Sequence, residues 1–216
     1  MADQNKGMSD LWRRLRFVFL AIVIYRMGTH IPIPGIDPAR LAALFDQNQG
    51  TILEMFNLFS GGALERMSIF ALNVVPYISA AIIMQLFSNS IPYLQELKKD
   101  GQAGRNQITQ YTRYGTVVLA FVQASALSVT LGASGLAYEP GTSFFISAVF
   151  SVVAGTIFLM WLGEQITERG IGNGISIIIA TSILTGIPGA IGQALEQARQ
   201  GDLNILLLLG IGVLAM

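Results

Sequence analysis

Side chains that perform enzyme chemistry are few in this sequence, and their surroundings favour none of the common reactions. The single histidine, His30, lies beside a proline-rich turn, and the chain has no second histidine to share a metal ion with it. The chain contains no cysteine, which excludes disulfides, thiolate metal sites and a cysteine nucleophile. We therefore predict no metal site and no cofactor.

Glu164 and Glu168 have a spacing that could serve acid–base chemistry. Residues four apart share one face of a helix, so both carboxylates could act on one substrate. They also lie beside Arg169 at the end of an apolar run, where a solvated helix end explains them better. The glycine-rich segment 170–174 superficially resembles a phosphate loop, but no strand precedes it and no Lys–Ser/Thr pair follows it. The sequence therefore predicts a protein that is not an enzyme.

Charged residues are rare and are separated by long apolar intervals. Of the 216 residues, 52% are hydrophobic and 12% are charged, whereas about 25% are charged in a typical soluble domain. Each charge-free interval is longer than the roughly 20 residues that cross a hydrocarbon core. This pattern predicts a polytopic membrane protein. The intervals cover residues 67–95, 114–138, 140–163 and 170–195.

The apolar runs predict five full membrane spans and the start of a sixth. The spans cover approximately residues 15–29, 68–93, 114–131, 144–162 and 175–191, and the sixth begins at residue 203. A helix that stops at Met216 would be too short for the hydrocarbon core, so we expect a longer parent chain. Arg26 lies near the end of span one, where its long side chain could reach the membrane interface.

The distribution of lysine and arginine predicts the orientation in the membrane. The N-terminal segment and the loops 95–113 and 163–174 carry nine of these residues, and the opposite side carries four. Segments rich in lysine and arginine stay in the cytoplasm. We therefore predict a cytoplasmic N-terminus.

A broken apolar segment between spans one and two favours transport. Residues 56–67 are partly apolar, are interrupted by Ser60, Gly61 and Gly62, and are too few to cross a bilayer. Membrane proteins permit discontinuous helices beside cavities, although a loop helix packed on the outer surface would explain the same pattern. A secondary transporter would need ionisable residues near the bilayer midplane, and spans two to five have none. A purely structural subunit would not explain the broken segment.

Apolar and small residues on three spans could mediate contacts inside the membrane. Val74 and Ile78 are four residues apart on span two, and Ile175 and Ile179 are four apart on span five. Each pair could present a branched apolar surface to a central axis, although ordinary helix packing explains the spacing better. Small residues on spans four and five would permit close contact with a neighbouring helix, namely Ala154, Gly155, Gly186 and Gly189.

Four long and irregular stretches of the sequence are distinctive. They are IPGID (33–37), FNLFSGGA (56–63) with SIFAL (68–72) and PYISA (76–80), QITQYTRY (107–114) and WLGEQITERGIGNGIS (161–176). These stretches resemble the SecY family, and the resemblance covers nearly the whole chain. It implies an all-α fold in which spans one to five form the first half of a ten-span, inverted-repeat channel with a re-entrant plug helix. The implied segments are a cytoplasmic N-terminal segment 1–14, the half-channel 15–202, and the truncated start of span six at 203–216.

The resemblance also implies three sets of functional residues. The pore ring of this half comprises Val74, Ile78, Ile175 and Ile179. The lateral gate, where signal sequences leave toward lipid, includes Ser79, Gln85 and Asn173. The plug is a short helix that enters the pore from outside and comprises Phe59, Ser60, Gly61, Gly62, Ala63, Leu64, Glu65, Arg66 and Met67.

Two residues depart from the family pattern next to the ring. Asn73 stands where the resemblance implies a glycine, and its amide could alter the hinge of the plug. Val74 is smaller than the isoleucine expected there, which could loosen the seal.

The resemblance implies a passive channel that translocates secretory polypeptides and releases membrane proteins sideways into lipid. A closed apolar constriction resists wetting and so excludes ions, while energy would come from a ribosome or the SecA ATPase. The implied location is the bacterial plasma membrane. The resemblance implies no cofactor. The implied partners are SecE, SecG, SecA or the ribosome, signal sequences, nascent polypeptides, membrane lipids and the missing C-terminal half of the chain.

Overall fold

The computed structural model describes residues 2–47, 57, 60–139 and 141–200. Within these residues the chain forms seven α-helices and no β-strand, apart from two isolated bridges. The all-helical prediction is therefore confirmed, whereas the predicted start of span six lies outside the described residues. The helices are α1 (Ala2–Gly28), α2 (Pro38–Gln47), α3 (Val75–Ser90), α4 (Pro92–Lys99), α5 (Gly101–Ala133), α6 (Thr142–Arg169) and α7 (Gly174–Gln200).

Helices α5 and α6 are long and apolar enough to cross a membrane. They have 33 and 28 residues and contain the predicted spans three and four. At 1.5 Å per residue, α5 is about 50 Å long, which exceeds a hydrocarbon core of about 30 Å. Its first turns replace the polar loop that the sequence predicts at 95–113. In α7, Gly174–Pro188 forms a shorter apolar helix. The other predicted spans stay predictions.

The predicted span two begins later than the sequence suggests. Residues 69–74 form turns, and the helix α3 starts only at Val75. Asn73 has a φ of +49°, which a right-handed helix cannot contain. Pro76 lies in the first turn of α3, where a missing N–H costs no hydrogen bond. The resulting helix has 16 residues, about 24 Å.

Residues 67–74 form a turn segment, and the proline-rich segment after α1 pairs with its start. The backbone N–H of Ile33 donates to the carbonyl of Met67 at 2.8 Å, and the N–H of Ile69 donates to the carbonyl of Ile31 at 3.0 Å. The prolines that alternate with these isoleucines have no N–H to satisfy. The Ile-Pro-Ile-Pro sequence therefore suits a segment whose backbone pairs with another stretch of the chain along one edge only.

The same segment continues into a second bridge, with the loop after α5. The N–H of Asp37 donates to the carbonyl of Leu136 at 2.9 Å, and the N–H of Tyr138 donates to the carbonyl of Gly35 at 3.0 Å. Arg40 on α2 also donates to the carbonyl of Gly135 at 2.7 Å. One short segment thus joins two distant parts of the chain.

The turn segment crosses between α1 and α6 at a point where both helices leave room. The ring of Phe70 stacks between Tyr25 on α1 and Phe158 on α6, with centroid distances of 6.0 and 5.9 Å. A Cβ atom on Gly155 would lie 2.0 Å from the carbonyl oxygen of Ile69. Gly155 was predicted to allow close contact, and the element that it admits is this turn rather than another helix.

We expect Gly155→Ala to lower the free energy of unfolding by roughly 1–3 kcal/mol, because the backbone of Ile69 must move away from the new methyl group. Gly132→Ala is the matched control, since a Cβ at this helical glycine meets no atom within 4 Å. It should be neutral or stabilising by about 0.4–1 kcal/mol. Thermal unfolding midpoints in detergent measure both, and equal midpoints would contradict the close crossing.

Candidate functional site

The four residues predicted for the pore ring belong to one apolar cluster. Val74 lies directly before α3, Ile78 lies in its first turn, and Ile175 and Ile179 lie at the start of α7. The cluster also contains α1 and α6 residues, including Tyr25. The fold therefore brings together two i, i+4 pairs that are about 100 residues apart in sequence.

The ring residues differ in exposure. Val74 is 2% exposed and forms part of the packed core, whereas Ile78, Ile175 and Ile179 are half-buried at the edge of the same cluster. Only the last three therefore present open apolar surface in this half. Ile178, next to Ile179, is 1% exposed and belongs to the core.

The segment predicted as a plug helix is built mainly from turns. Phe59 lies outside the described residues, and residues 61–67 form consecutive turns instead of helix. Gly61 and Gly62 have φ values of +66° and +79°, and Met67 has +41°, all outside the right-handed helical region. Two adjacent glycines tolerate this conformation without steric cost. The helix prediction therefore fails at the residues that interrupt the apolar pattern.

Local polar contacts replace helical hydrogen bonds in this segment. The side chain of Asn57 accepts from the N–H of Glu65 and donates to its carboxylate, each at 3.0 Å. The hydroxyl of Ser60 accepts from the N–H of Leu64 at 3.1 Å. Ser60, Ala63 and Met67 are buried, so the segment is packed among the helices.

Polar side chains of α1 and α7 surround the start of this segment. The hydroxyl of Tyr25 lies 2.5 Å from that of Ser182 and 3.4 Å from the carbonyl oxygen of Ser60. Arg26 donates to the carbonyl of Gly61 at 3.1 Å and to the hydroxyl of Thr185 at 3.3 Å. Its guanidinium is therefore bound to the plug segment and to α7, and its position at the membrane interface stays a prediction.

Asn73 joins the same polar group. Its side-chain amide donates to the hydroxyl of Ser182 at 3.1 Å. Its φ of +49° suits the glycine that the sequence motifs predict here, and asparagine is one of the few other residues that tolerate this conformation. Asn73 therefore permits the backbone turn and also makes a hydrogen bond to α7.

His30 contacts the far end of the plug segment. Its Nδ1 lies 2.8 Å from the carbonyl oxygen of Arg26, and its Nε2 lies 3.3 Å from the guanidinium of Arg66. Because a guanidinium only donates, Nε2 is the acceptor and the proton is on Nδ1. This histidine therefore links α1 to the plug segment.

The predicted lateral-gate residues occupy different surroundings. Gln85 lines a cavity of about 490 Å³ together with Tyr77 and Thr112. Asn173 caps α7, since its side chain accepts from the N–H of Ser176 at 3.2 Å. Ser79 is half-buried on α3. The cap accounts for Asn173 structurally, and the gate assignment of all three remains a prediction.

The charged residues at the ends of α1 and α6 form structural pairs. Arg113 on α5 donates to the carboxylate of Glu164 at 2.7 Å, which joins α5 to α6. Arg14 donates to the carbonyl of Gly170 at 3.3 Å and to the carboxylate of Asp10. The hydrogen bond from Arg14 lowers the pKa of Asp10 below its ordinary value. Among the described residues, no three metal-binding side chains lie together.

Sequence reasoning missed Tyr25, Ser182 and Thr185. Each lies in an apolar run, where a hydroxyl reads as an ordinary helix residue, and their partners are more than 30 positions away. The only local signal was Arg26, a cation inside a predicted span.

The comparisons with known proteins identify the family. The family model named SecY matches residues 68–216. The protein translocase subunit SecY of Pseudomonas aeruginosa is 63% identical over 215 residues, which cover 100% of this chain and 49% of that protein. The corresponding subunit of Escherichia coli K12 is 58% identical over 212 residues, 96% of this chain and 48% of that protein. The chain belongs to the SecY family, as its sequence motifs predict, and spans about half the length of these relatives.

Solved structures share the fold. The Sec61 channel in a canine ribosome–channel complex from the endoplasmic reticulum aligns with a TM-score of 0.62 at 20% identity, over 90% of this chain and 43% of that one. A SecY structure whose plug domain is described as stabilising the closed channel and maintaining a membrane seal has a TM-score of 0.57 at 22% identity, over 90% and 42% of the two chains.

The conformation of Asn73 predicts that glycine is more stabilising than alanine at this position, the opposite of the order at an ordinary helical residue. Asn73→Ala and Asn73→Gly both remove the amide, but only alanine is strained at a φ of +49°. We therefore expect the alanine variant to be less stable by about 1–2 kcal/mol. At Asn106, an exposed helical residue of α5, the glycine variant should be the less stable one by about 1 kcal/mol. Unfolding midpoints of the four variants test this, and a more stable Asn73→Ala would refute it.

Proposed function

We propose that this chain forms the amino-terminal half of a channel that conducts secretory polypeptides across a membrane and releases membrane segments into lipid. The observation that carries the proposal is the buried, non-helical segment 60–74, which lies against α1 and α7 beside the ring cluster. Backbone of this kind occurs at membrane depth only where protein or a cavity surrounds it. The relatives named protein translocase subunit SecY support the same function.

The ring and the plug would close the resting channel in two ways. The partly exposed side chains of Ile78, Ile175 and Ile179 would form half of an apolar constriction, which resists wetting and so excludes ions. The plug segment would block the remaining space sterically. A passing polypeptide would displace flexible side chains without any bond chemistry, so the proposed channel needs no catalytic residue.

The opening would depend on partners. A signal sequence that binds between α3 and the missing half would favour the open state through its greater affinity for that state. Ser79 and Gln85 on α3 are the residues proposed to face it, with Asn173 at the start of α7. The canine complex of Sec61 with a ribosome supports a ribosome as one source of driving force. We propose SecA as the other, with SecE, SecG and lipids as membrane partners.

The following experiments use a complete channel in the bacterial plasma membrane. In it, this chain is joined to the second half of the Pseudomonas aeruginosa relative, from which any cysteine has been removed, with its small subunits. This chain contributes no cysteine of its own, so single cysteines report unambiguously.

The proposed orientation places the two ends of α5 on opposite sides of the membrane. Gln102 and Tyr138 are exposed and lie near its start and beyond its end. We expect a membrane-impermeant maleimide, added from outside, to label Tyr138→Cys and to leave Gln102→Cys unlabelled until the membrane is opened. Labelling of both from one side would overturn the topology.

The proposed constriction predicts that replacing two neighbouring isoleucines by asparagine has different effects on conductance and stability. Ile179→Asn would place a hydrogen-bonding group at an apolar constriction, so we expect normal expression and a severalfold higher resting ion conductance in planar bilayers. Ile178→Asn is the matched control, because this side chain is 1% exposed in the core. It should destabilise the fold by at least about 2 kcal/mol without changing the seal of each folded channel.

Secretory function is measured with the same channels. The unmodified channel and Ile179→Asn should both translocate a secretory precursor into vesicles, since the variant changes the seal and not the path. An unchanged resting conductance of Ile179→Asn, with reduced expression like that of Ile178→Asn, would show that residue 179 belongs to the core.

A further inference from the structure

We infer that a group of buried and half-buried side chains, the polar latch, positions the plug segment and must be released before the channel opens. The inference rests on the proposed function, because it assigns a closing role to the plug. The polar latch comprises Tyr25, Arg26, Asn73, Ser182 and Thr185.

The centre of the polar latch is the hydroxyl of Ser182. It donates to the carbonyl of Ile178 at 2.9 Å, one turn earlier in α7. It therefore has two lone pairs for the amide of Asn73, at 3.1 Å, and the hydroxyl of Tyr25, at 2.5 Å. Ser182 is 0% exposed and Tyr25 is 1% exposed, so water does not compete for these bonds. A serine hydroxyl with three partners joins three parts of the chain.

The guanidinium of Arg26 forms the second half of the polar latch. It donates to the carbonyl of Gly61 and to the hydroxyl of Thr185, which in turn donates to the carbonyl of Ser182 at 2.8 Å. Charged donors make stronger hydrogen bonds than neutral ones. Arg26 thus ties the first glycine of the plug segment to the same turn of α7 that holds Tyr25.

The packing at Gly61 shows that this contact is close. A Cβ on Gly61 would lie 3.2 Å from both the Cα and the carbonyl oxygen of Ser182, and the residue has a φ of +66°. The backbone of the plug segment therefore lies directly on α7 at the latch. Movement of the plug away from α7 must break the bond from Arg26 and separate Ser60 from Tyr25.

The polar latch also connects the plug to the ring. Asn73 immediately precedes Val74, while Ser182 follows Ile179 by less than one turn of α7. Separation of α3 from α7 would therefore break the bond between Asn73 and Ser182. Arg26 opposes release of the plug, and Asn73 opposes separation of α3 from α7. Ser182, which bonds Asn73 and Tyr25 and whose backbone lies against Gly61, couples the two movements.

The accessibility of a cysteine inside the plug tests the latch. Ala63 is 0% exposed, so a maleimide reaches Ala63→Cys only when the plug leaves its site. Tyr25→Phe removes the hydroxyl and keeps the ring that stacks on Phe70. Without signal peptide, we expect this variant to speed modification of Ala63→Cys about two- to tenfold, as loss of one hydrogen bond predicts.

A double variant tests whether the residues act together. Ser182→Ala should also speed modification, and Tyr25→Phe combined with Ser182→Ala should have a smaller effect than the product of the two, because both remove the same bond. Thr181→Val is the matched control on α7. Thr181 bonds only to the carbonyl of Ile177 in its own helix among the contacts that the structure gives it, so its removal should leave the rate unchanged.

A second reporter distinguishes the latch from general loosening of the fold. Ala148 is 0% exposed on α6 in the other apolar cluster. If Tyr25→Phe speeds modification of Ala148→Cys and Ala63→Cys equally, the residue is merely structural and the inference is wrong. An unchanged rate at Ala63→Cys also overturns it.

The parent channel separates this inference from the proposed function. If Ala63→Cys is protected at rest and becomes reactive with signal peptide, the plug acts as proposed whatever the latch variants show. If Ala63→Cys reacts freely in the parent channel and signal peptide has no effect, the plug does not close the channel. The proposed function of the plug and the inference of the polar latch are then both wrong.

Discussion

The rest of the structure depends on satisfying the backbone hydrogen bonds of the non-helical segment between Ser60 and Val74. In a hydrocarbon environment each unpaired N–H or carbonyl costs several kcal/mol. The protein satisfies them from two sources that lie far away in sequence. The backbone of the proline-rich segment 31–33 pairs with Met67 and Ile69. The side chain of Arg26 on α1 supplies the bond to Gly61. The broken segment is therefore stable only inside the assembled half.

The path of this segment also determines the packing around Phe70. Phe70 can lie between Tyr25 and Phe158 only because Gly155 lets the backbone at Ile69 approach α6. The same crossing places Val74 in the core and leaves the neighbouring ring positions half-buried. The residues proposed for the ring thus form an edge of the packed core, not a separate structure. Its position follows from the path of the turn segment.

The sequence predicted those features of the fold that depend on local residue pattern. The charge-free intervals identified α5 and α6, because the length of an apolar helix is visible in the sequence. The late start of α3 was missed, since it depends on the φ of Asn73 and on bonds from residues about 40 positions earlier. The bond from Arg26 to Gly61 was also missed, because a backbone carbonyl acceptor leaves no trace in composition. The ring and plug assignments rest on the family motifs, because periodicity alone left them open, and they stay predictions.

The proposed channel has two kinds of closure with different responses to a translocating chain. Apolar contacts around the ring can be exchanged for contacts with an apolar signal segment, so their loss costs little when such a segment binds. The bonds of Tyr25 and Asn73 to Ser182 have no such replacement, because an apolar segment offers no side-chain donor or acceptor. They can be replaced only by water or by the backbone of the passing polypeptide. A segment must therefore gain more from the open state than the apolar exchange alone requires, and this difference would let the channel distinguish a signal sequence from a weakly apolar chain.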